Sequence, residues 1–73
     1  MGHLDPAVKQ LKEAREERGL PRVRVADMAG ISRSTLTKYE LGKFQPPLDV
    51  VRRWARALGL DIPQLERLED NPE

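Results

Sequence analysis

The 73-residue sequence contains no cysteine, one histidine and no long hydrophobic run. The lack of cysteine excludes disulfides and a cysteine-ligated zinc site. His3 alone cannot build another metal site, so no metal and no cofactor are predicted. No stretch approaches the roughly 20 apolar residues that span a membrane, and the N-terminus lacks the apolar segment of a signal peptide. We therefore expect a soluble, cytoplasmic protein with no membrane partner.

The composition also disfavours an enzyme. The chain has only one histidine, no cysteine and no glycine-rich phosphate loop. A domain of this length also has no room for a deep pocket. It is near the lower size limit at which a hydrophobic core suffices without disulfides or metals. We predict one non-enzymatic domain over residues 1–73, with its core at about 6–68.

What the chain does have is an uneven distribution of charge. The formal net charge is only +1, which alone argues weakly against a nucleic-acid binder. However, residues 22–56 carry eight basic and three acidic side chains, whereas residues 57–73 carry one basic and five acidic side chains. The centre is thus a basic patch, and residues 69–73 are predicted to be an acidic, flexible tail.

Proline, glycine and capping residues divide the sequence into five predicted helices. Their limits are Asp5–Pro6 to Gly19, Pro21 to Gly30, Ser32 to Gly42, Pro47 to Gly59, and Asp61 to Leu68. The apolar residues expected to face inward are Ala7, Val8, Leu11, Ala14, Val25, Ala26, Ala29, Leu36, Tyr39, Leu41, Leu48, Val51, Trp54, Ala55, Leu58, Leu65 and Leu68. No strand pattern appears, so the predicted fold is all-α, a compact five-helix bundle.

The stretch GISRSTLTKYELGK, residues 30–43, combines helical spacing of apolar residues with hydroxyls and cations on the other side. The predicted second and third helices are joined by a very short connection that contains Gly30. That spacing is typical of a helix-turn-helix. A generic corner between two helices has the same outline, so the spacing alone leaves both interpretations open.

Three stretches together resemble the phage-repressor (lambda repressor and Cro-like) helix-turn-helix family: LKEAREERGL, ADMAGISRSTLTKYELGKFQPPLD and VRRWARALGLDIPQL. The similarity covers roughly residues 8–66, and the characteristic residues of the family occur in the same order along this chain. The chain departs from the family at the start of the second helix. Pro21 and Arg22 stand where members commonly have a Thr or Ser cap and a Gln, and Val23 stands at a usually acidic position.

The resemblance implies that the third helix is a recognition helix, which enters the major groove of double-stranded DNA with its N-terminal residues toward base edges. The residues expected to contact bases are Ser32, Arg33, Ser34, Thr37 and Lys38. Arg33 offers a two-pronged donor set that matches O6 and N7 of guanine. The alternative for Arg33 is a solvated side chain that pairs with a carboxylate.

Other cations and aromatic residues receive separate predictions. Arg22 at the start of the second helix and Lys43 beside a glycine are expected to contact DNA phosphates. Phe44 lies in a polar loop, where it either covers the edge of the core or touches a partner. A solvated face is expected for the basic run Arg52, Arg53 and Arg56.

Arg15 and Glu40 are expected to form a structural ion pair. The resemblance implies this pair, because family members join the two positions between the first and third helices. Arg15 falls on the apolar side of its helix beside Leu11 and Ala14, which agrees with a role in the fold. The alternative is two separate solvated charges. The role assigned is to hold the recognition helix and not to contact DNA.

Two functions of different classes follow. The first is a sequence-specific DNA-binding transcriptional regulator, a repressor that occupies a near-palindromic operator in the nucleoid, commonly as a homodimer in this family. The second is a protein-interaction adaptor or antitoxin-type module that uses the same fold. The acidic tail, Val23 and Phe44 keep the second interpretation open, with a protein partner in place of DNA.

Overall fold

The computed structural model describes residues 5–60, which form four helices and no strand. The helices are α1 (Pro6–Glu17), α2 (Arg22–Ala29), α3 (Arg33–Glu40) and α4 (Leu48–Ala57). The all-α class is confirmed, but the predicted count of five helices is not supported. The predicted fifth helix and the acidic tail lie outside the described residues. Within residues 5–60, no helix is long and apolar enough to cross a membrane.

Capping residues set the helix boundaries. Asp5 Oδ1 accepts a hydrogen bond from the Ala7 N–H at 2.9 Å, and Pro6 occupies the first position of α1, where its missing N–H costs nothing. Gly30 follows α2 with φ +76°, a left-handed conformation that glycine adopts without steric cost. This glycine allows the chain to turn directly from α2 into α3.

One apolar core lies between the four helices. α2 packs against both α3 and α4, and α1 packs against the same two helices. The largest fully buried apolar side chains are Trp54, Leu11 and Leu36. The Trp54 ring stacks on Tyr39 of α3, with 6.4 Å between the ring centroids. The core therefore holds α3 from one side and leaves its other side exposed.

Two leucines that were predicted to face inward are exposed. Leu41 is 54% exposed and caps the C-terminus of α3. At 3.6 residues per turn, five residues place Leu41 roughly 140° around the helix from Leu36, whereas Glu40 is only about 40° away. The inward position at this end of α3 therefore belongs to Glu40.

The second wrong assignment is Leu48, which is 53% exposed. α4 begins at Leu48, one residue later than predicted, and Pro47 is its N-cap. Leu48 lies at the mouth of a shallow cleft beside Ala7 and Val8 of α1, where the core ends. Val50, which was not predicted to face inward, is buried instead.

Candidate nucleic-acid interface

α2 and α3 are joined by a turn of three residues, Gly30 to Ser32. The Ile31 N–H donates to the Ala26 carbonyl at 2.9 Å and closes the end of α2. Arg53 of α4 adds a side-chain hydrogen bond, because its Nε donates to the Ala29 carbonyl at 2.9 Å. Arg53 is exposed, as predicted, and in addition it joins α4 to the turn.

The side of α3 that faces away from the core carries polar and basic side chains. Arg33, Ser34 and Lys38 are exposed, while Leu36 and Glu40 are buried. The predicted division of this helix matches the burial pattern except at Leu41, which was expected to face inward and is exposed, and at Thr37, which was expected to be exposed and is half-buried. Base contacts by Arg33, Ser34 and Lys38 remain predictions.

Two of the predicted base-contacting hydroxyls already make hydrogen bonds within the protein. Ser32 Oγ accepts from the Thr35 N–H at 3.1 Å and donates to Thr35 Oγ1 at 2.9 Å. Thr37 is half-buried, and its hydroxyl donates to the Arg33 carbonyl at 2.9 Å. Because both protons are used internally, these hydroxyls offer DNA only acceptor capacity in this arrangement. Base donors such as the amino groups of adenine and cytosine fit that capacity.

Ser32→Ala is expected to lower the free energy of unfolding by about 1 kcal/mol, because α3 loses its N-cap. Urea unfolding measures this loss, and Ser34→Ala is the control. Ser34 is exposed and does not cap the helix, so Ser34→Ala should unfold like the wild type. Equal stability of Ser32→Ala and the wild type would contradict the capping role.

Lys38 lies next to an aromatic ring. Its Nζ is 5.6 Å from the centroid of Phe44, within the range of a cation–π contact. Phe44 itself is 58% exposed, so it does not cover the core. The contact restrains the Lys38 ammonium near the C-terminal end of α3.

Glu40 is the centre of a buried ionic cluster. Its Oε2 accepts from Arg15 Nε at 2.8 Å, and its Oε1 accepts from Arg15 Nη2 at 3.0 Å. Oε1 also accepts from Arg22 Nε at 2.8 Å. Arg15 Nη1 donates to the Leu20 carbonyl at 2.9 Å. The structure therefore places the predicted pair in contact and adds Arg22, which the sequence analysis assigned only to phosphate.

The same cluster borders an open groove between the end of α1 and the starts of α2 and α3. The residues lining it are Arg15, Glu16, Pro21, Arg22, Val23, Arg33 and Thr37. Three arginines and one glutamate give this groove a positive charge, and the buried Glu40 lies behind it. Such a groove suits an anionic ligand.

Lys43 lies on the exposed surface just after α3. Its N–H donates to the Lys38 carbonyl at 2.9 Å, and the preceding Gly42 has φ +78°. This turn fixes the backbone at Lys43 and leaves the side chain exposed. Of the two residues predicted to contact phosphate, Arg22 reaches Glu40 at the last position of α3, and Lys43 follows the same end of the helix.

A short helix, a tight glycine turn and a second helix with an exposed polar side define a helix-turn-helix domain. The model of a helix-turn-helix family matches residues 11–65. The chain belongs to this family of Cro/C1-type helix-turn-helix proteins, as its resemblance to phage repressors predicted.

Two relatives illustrate the similarity. The SPbeta prophage-derived helix-turn-helix-type transcriptional regulator YonR of Bacillus subtilis is 36% identical over 52 residues, which are 71% of this chain and 48% of YonR. A helix-turn-helix-type transcriptional regulator of Methanothermobacter thermautotrophicus is 39% identical over 49 residues, 67% of this chain and 71% of that protein. The match therefore spans only about half the length of the Bacillus relative.

The fold is also similar to a solved structure, the restriction-modification controller protein C.AhdI of Aeromonas hydrophila. The two chains superpose with a TM-score of 0.74 and are 26% identical. The similarity covers 84% of this chain and 88% of the controller protein.

Proposed function

We propose that this protein is a sequence-specific, double-stranded DNA-binding transcriptional regulator that represses by occupying an operator. The observation that carries the proposal is α3, which is anchored by Leu36 and Glu40 and presents Arg33, Ser34 and Lys38 on its exposed side. The major groove of B-DNA admits an α-helix, and its bases are read by such side chains. The relatives described as transcriptional regulators, and the controller protein, support this class of function.

The residues divide into two roles. Arg33 is the main base-reading residue, because a guanidinium can donate two parallel hydrogen bonds to guanine. Ser34 and Lys38 assist it, and Ser32 and Thr37 act as acceptors. Phosphate contacts by Arg22 and Lys43 would position α3 without reading sequence.

Arg33→Ala is expected to weaken binding to the selected operator by about 1–3 kcal/mol and to relax preference at one base position. Selection of duplexes from a random pool gives the operator, and titration of single-base variants gives the preference.

Lys43→Ala should instead weaken binding to all duplexes alike and reduce the slope of log K against log salt by about one unit. Arg52→Ala, at an exposed position of α4, is the control that removes the same charge. If Arg33→Ala and Lys43→Ala each lowered the affinity for every duplex by one common factor, Arg33 would not be a base-reading residue.

We further propose that two copies bind a near-palindromic operator. Proteins of this class place recognition helices in successive major grooves, so the half-sites would be about one helical turn apart. Selected sequences with two inverted half-sites at that spacing, bound by two chains, are the expected result. A single asymmetric site bound by one chain would contradict this proposal.

A protein-interaction role, as adaptor or antitoxin-type module, is the second candidate. It is favoured by the exposed apolar side chains Val23 and Phe44. The two functions differ in their salt dependence and partner: DNA affinity falls steeply with salt, whereas an antitoxin would form a stoichiometric complex with one protein. Failure to enrich any duplex from the random pool would favour the second function.

A further inference from the structure

We propose that Glu40 is a positioning residue for DNA binding, because it holds Arg22 in the orientation that contacts a DNA phosphate. This inference rests on the proposed function, and it assigns to a buried carboxylate a role beyond holding α3 to α1. The family resemblance implied only a structural role for Glu40. The contact between Glu40 and Arg22 links the two roles.

The hydrogen bonds around Glu40 are unequally distributed between its two arginines. Arg15 is almost fully buried, and its Nε, Nη1 and Nη2 all make hydrogen bonds to Glu40 or Leu20. Arg22 donates to Glu40 through Nε alone, and its side chain is 36% exposed. Arg15 is therefore committed to the fold, whereas the two terminal nitrogens of Arg22 donate to no other residue among 5–60 and can be offered to a ligand.

The charges of the cluster favour an anion on its open side. Arg15, Arg22 and Arg33 outnumber the two carboxylates of Glu16 and Glu40, so the cluster and its groove together keep a formal charge of +1. Arg22 lines the groove together with Arg33, the proposed base-reading residue. A guanidinium can donate two parallel hydrogen bonds to a phosphate, and a restrained guanidinium loses less freedom when it does so.

Glu40 and Arg22 also connect two elements that must be correctly placed at the same time. Glu40 is the last residue of α3, and Arg22 is the first residue of α2. Their 2.8 Å hydrogen bond fixes the proposed phosphate contact at a set position relative to the recognition helix. Compared with a neutral amide, arginine at this position adds a positive charge, and with Nε on Glu40 it still has two nitrogens to place on a phosphate.

The test is a double-mutant cycle of Arg22→Gln and Glu40→Gln, read out as Kd for the selected operator. In the wild-type background, Arg22→Gln should raise Kd about 10-fold, the size expected for a charge-assisted hydrogen bond. It should also lower the salt slope by about one unit. In the Glu40→Gln background, the same change should raise Kd only about twofold, because Arg22 is already misplaced.

Arg24→Gln is the matched control: Arg24 is exposed on the same helix, and its replacement removes the same charge. Its effect on Kd should be equal in both backgrounds. Circular dichroism at the binding temperature establishes that each variant is folded. If Arg22→Gln raises Kd by the same factor in the wild-type and Glu40→Gln backgrounds, then Glu40 is only structural and the inference is wrong.

Arg22→Lys provides a second test that does not depend on Glu40→Gln folding. Lysine keeps the charge but has one nitrogen, so it cannot bond Glu40 and a phosphate in the same way. We expect a loss of affinity close to that of Arg22→Gln; wild-type affinity in Arg22→Lys would overturn the inference. If the wild-type protein enriches no duplex at all, it is instead the proposed DNA-binding function that fails.

Discussion

Replacing Glu40 by alanine is expected to lower the free energy of unfolding by about 3–5 kcal/mol, because the change leaves the buried charge of Arg15 without its partner. Arg15 is 8% exposed and Glu40 is 1% exposed, so water cannot replace the lost carboxylate. Arg22 is exposed enough to turn toward solvent and should add little to the loss. Small domains have total stabilities of about 5–15 kcal/mol, so the melting temperature should fall sharply.

Glu16→Ala is the control for this experiment. The Glu16 carboxylate is 3.8 Å from Arg15 Nη2 but about half exposed, and such a pair contributes only about 0–1 kcal/mol. The double variant Arg15→Met/Glu40→Leu should recover part of the stability, since it leaves no buried unpaired charge. Urea unfolding of the variants compares them directly. A Glu40→Ala domain as stable as Glu16→Ala would show that the cluster does not stabilise the fold.

Leu36→Ala is expected to lower the free energy of unfolding by about 2–5 kcal/mol, because it opens a cavity between α3 and the core. Leu36 is fully buried and lies on the anchored side of α3. Amide hydrogen exchange should show the amides of α3 exchanging faster in this variant, since the helix loses its main apolar contact.

Leu41→Ala makes the same chemical change at the end of the same helix, where the leucine is mostly exposed. It should alter the free energy of unfolding by no more than about 0.5 kcal/mol. The difference between the two variants therefore measures burial rather than helix propensity. Equal losses in Leu36→Ala and Leu41→Ala would contradict the orientation of α3 described above.

Local signals in the sequence were sufficient to predict most of the fold. Asp5, Gly30 and Ser32 act through their immediate neighbours, so their caps and turns can be recognised from the sequence alone. Errors arose where the helix register had to be exact. Leu41 is apolar but lies on the wrong side of α3, and Glu40 takes its place because two arginines satisfy its charge.

The parts of the candidate site that could not be predicted depend on contacts between distant residues. Arg22 and Glu40 are 18 residues apart, and Arg53 and Ala29 are 24 residues apart. No spacing rule connects such positions, since only the packing of α2 against α3 and α4 brings them together. The contact of Lys38 with Phe44 depends likewise on the turn after α3. The exposure of Arg33, Ser34 and Lys38 was predictable because a single helix determines it.

The stacking of Trp54 on Tyr39 gives this protein a built-in optical probe. Trp54 is the single tryptophan of the chain, and Tyr39 is its single tyrosine. The indole is fully shielded from water, and its stacking partner belongs to the helix proposed to enter DNA. Emission from the indole therefore reports on the docking of α3 without any label. Energy transfer from the tyrosine ring, which decays steeply with separation, measures whether α3 and α4 stay packed together.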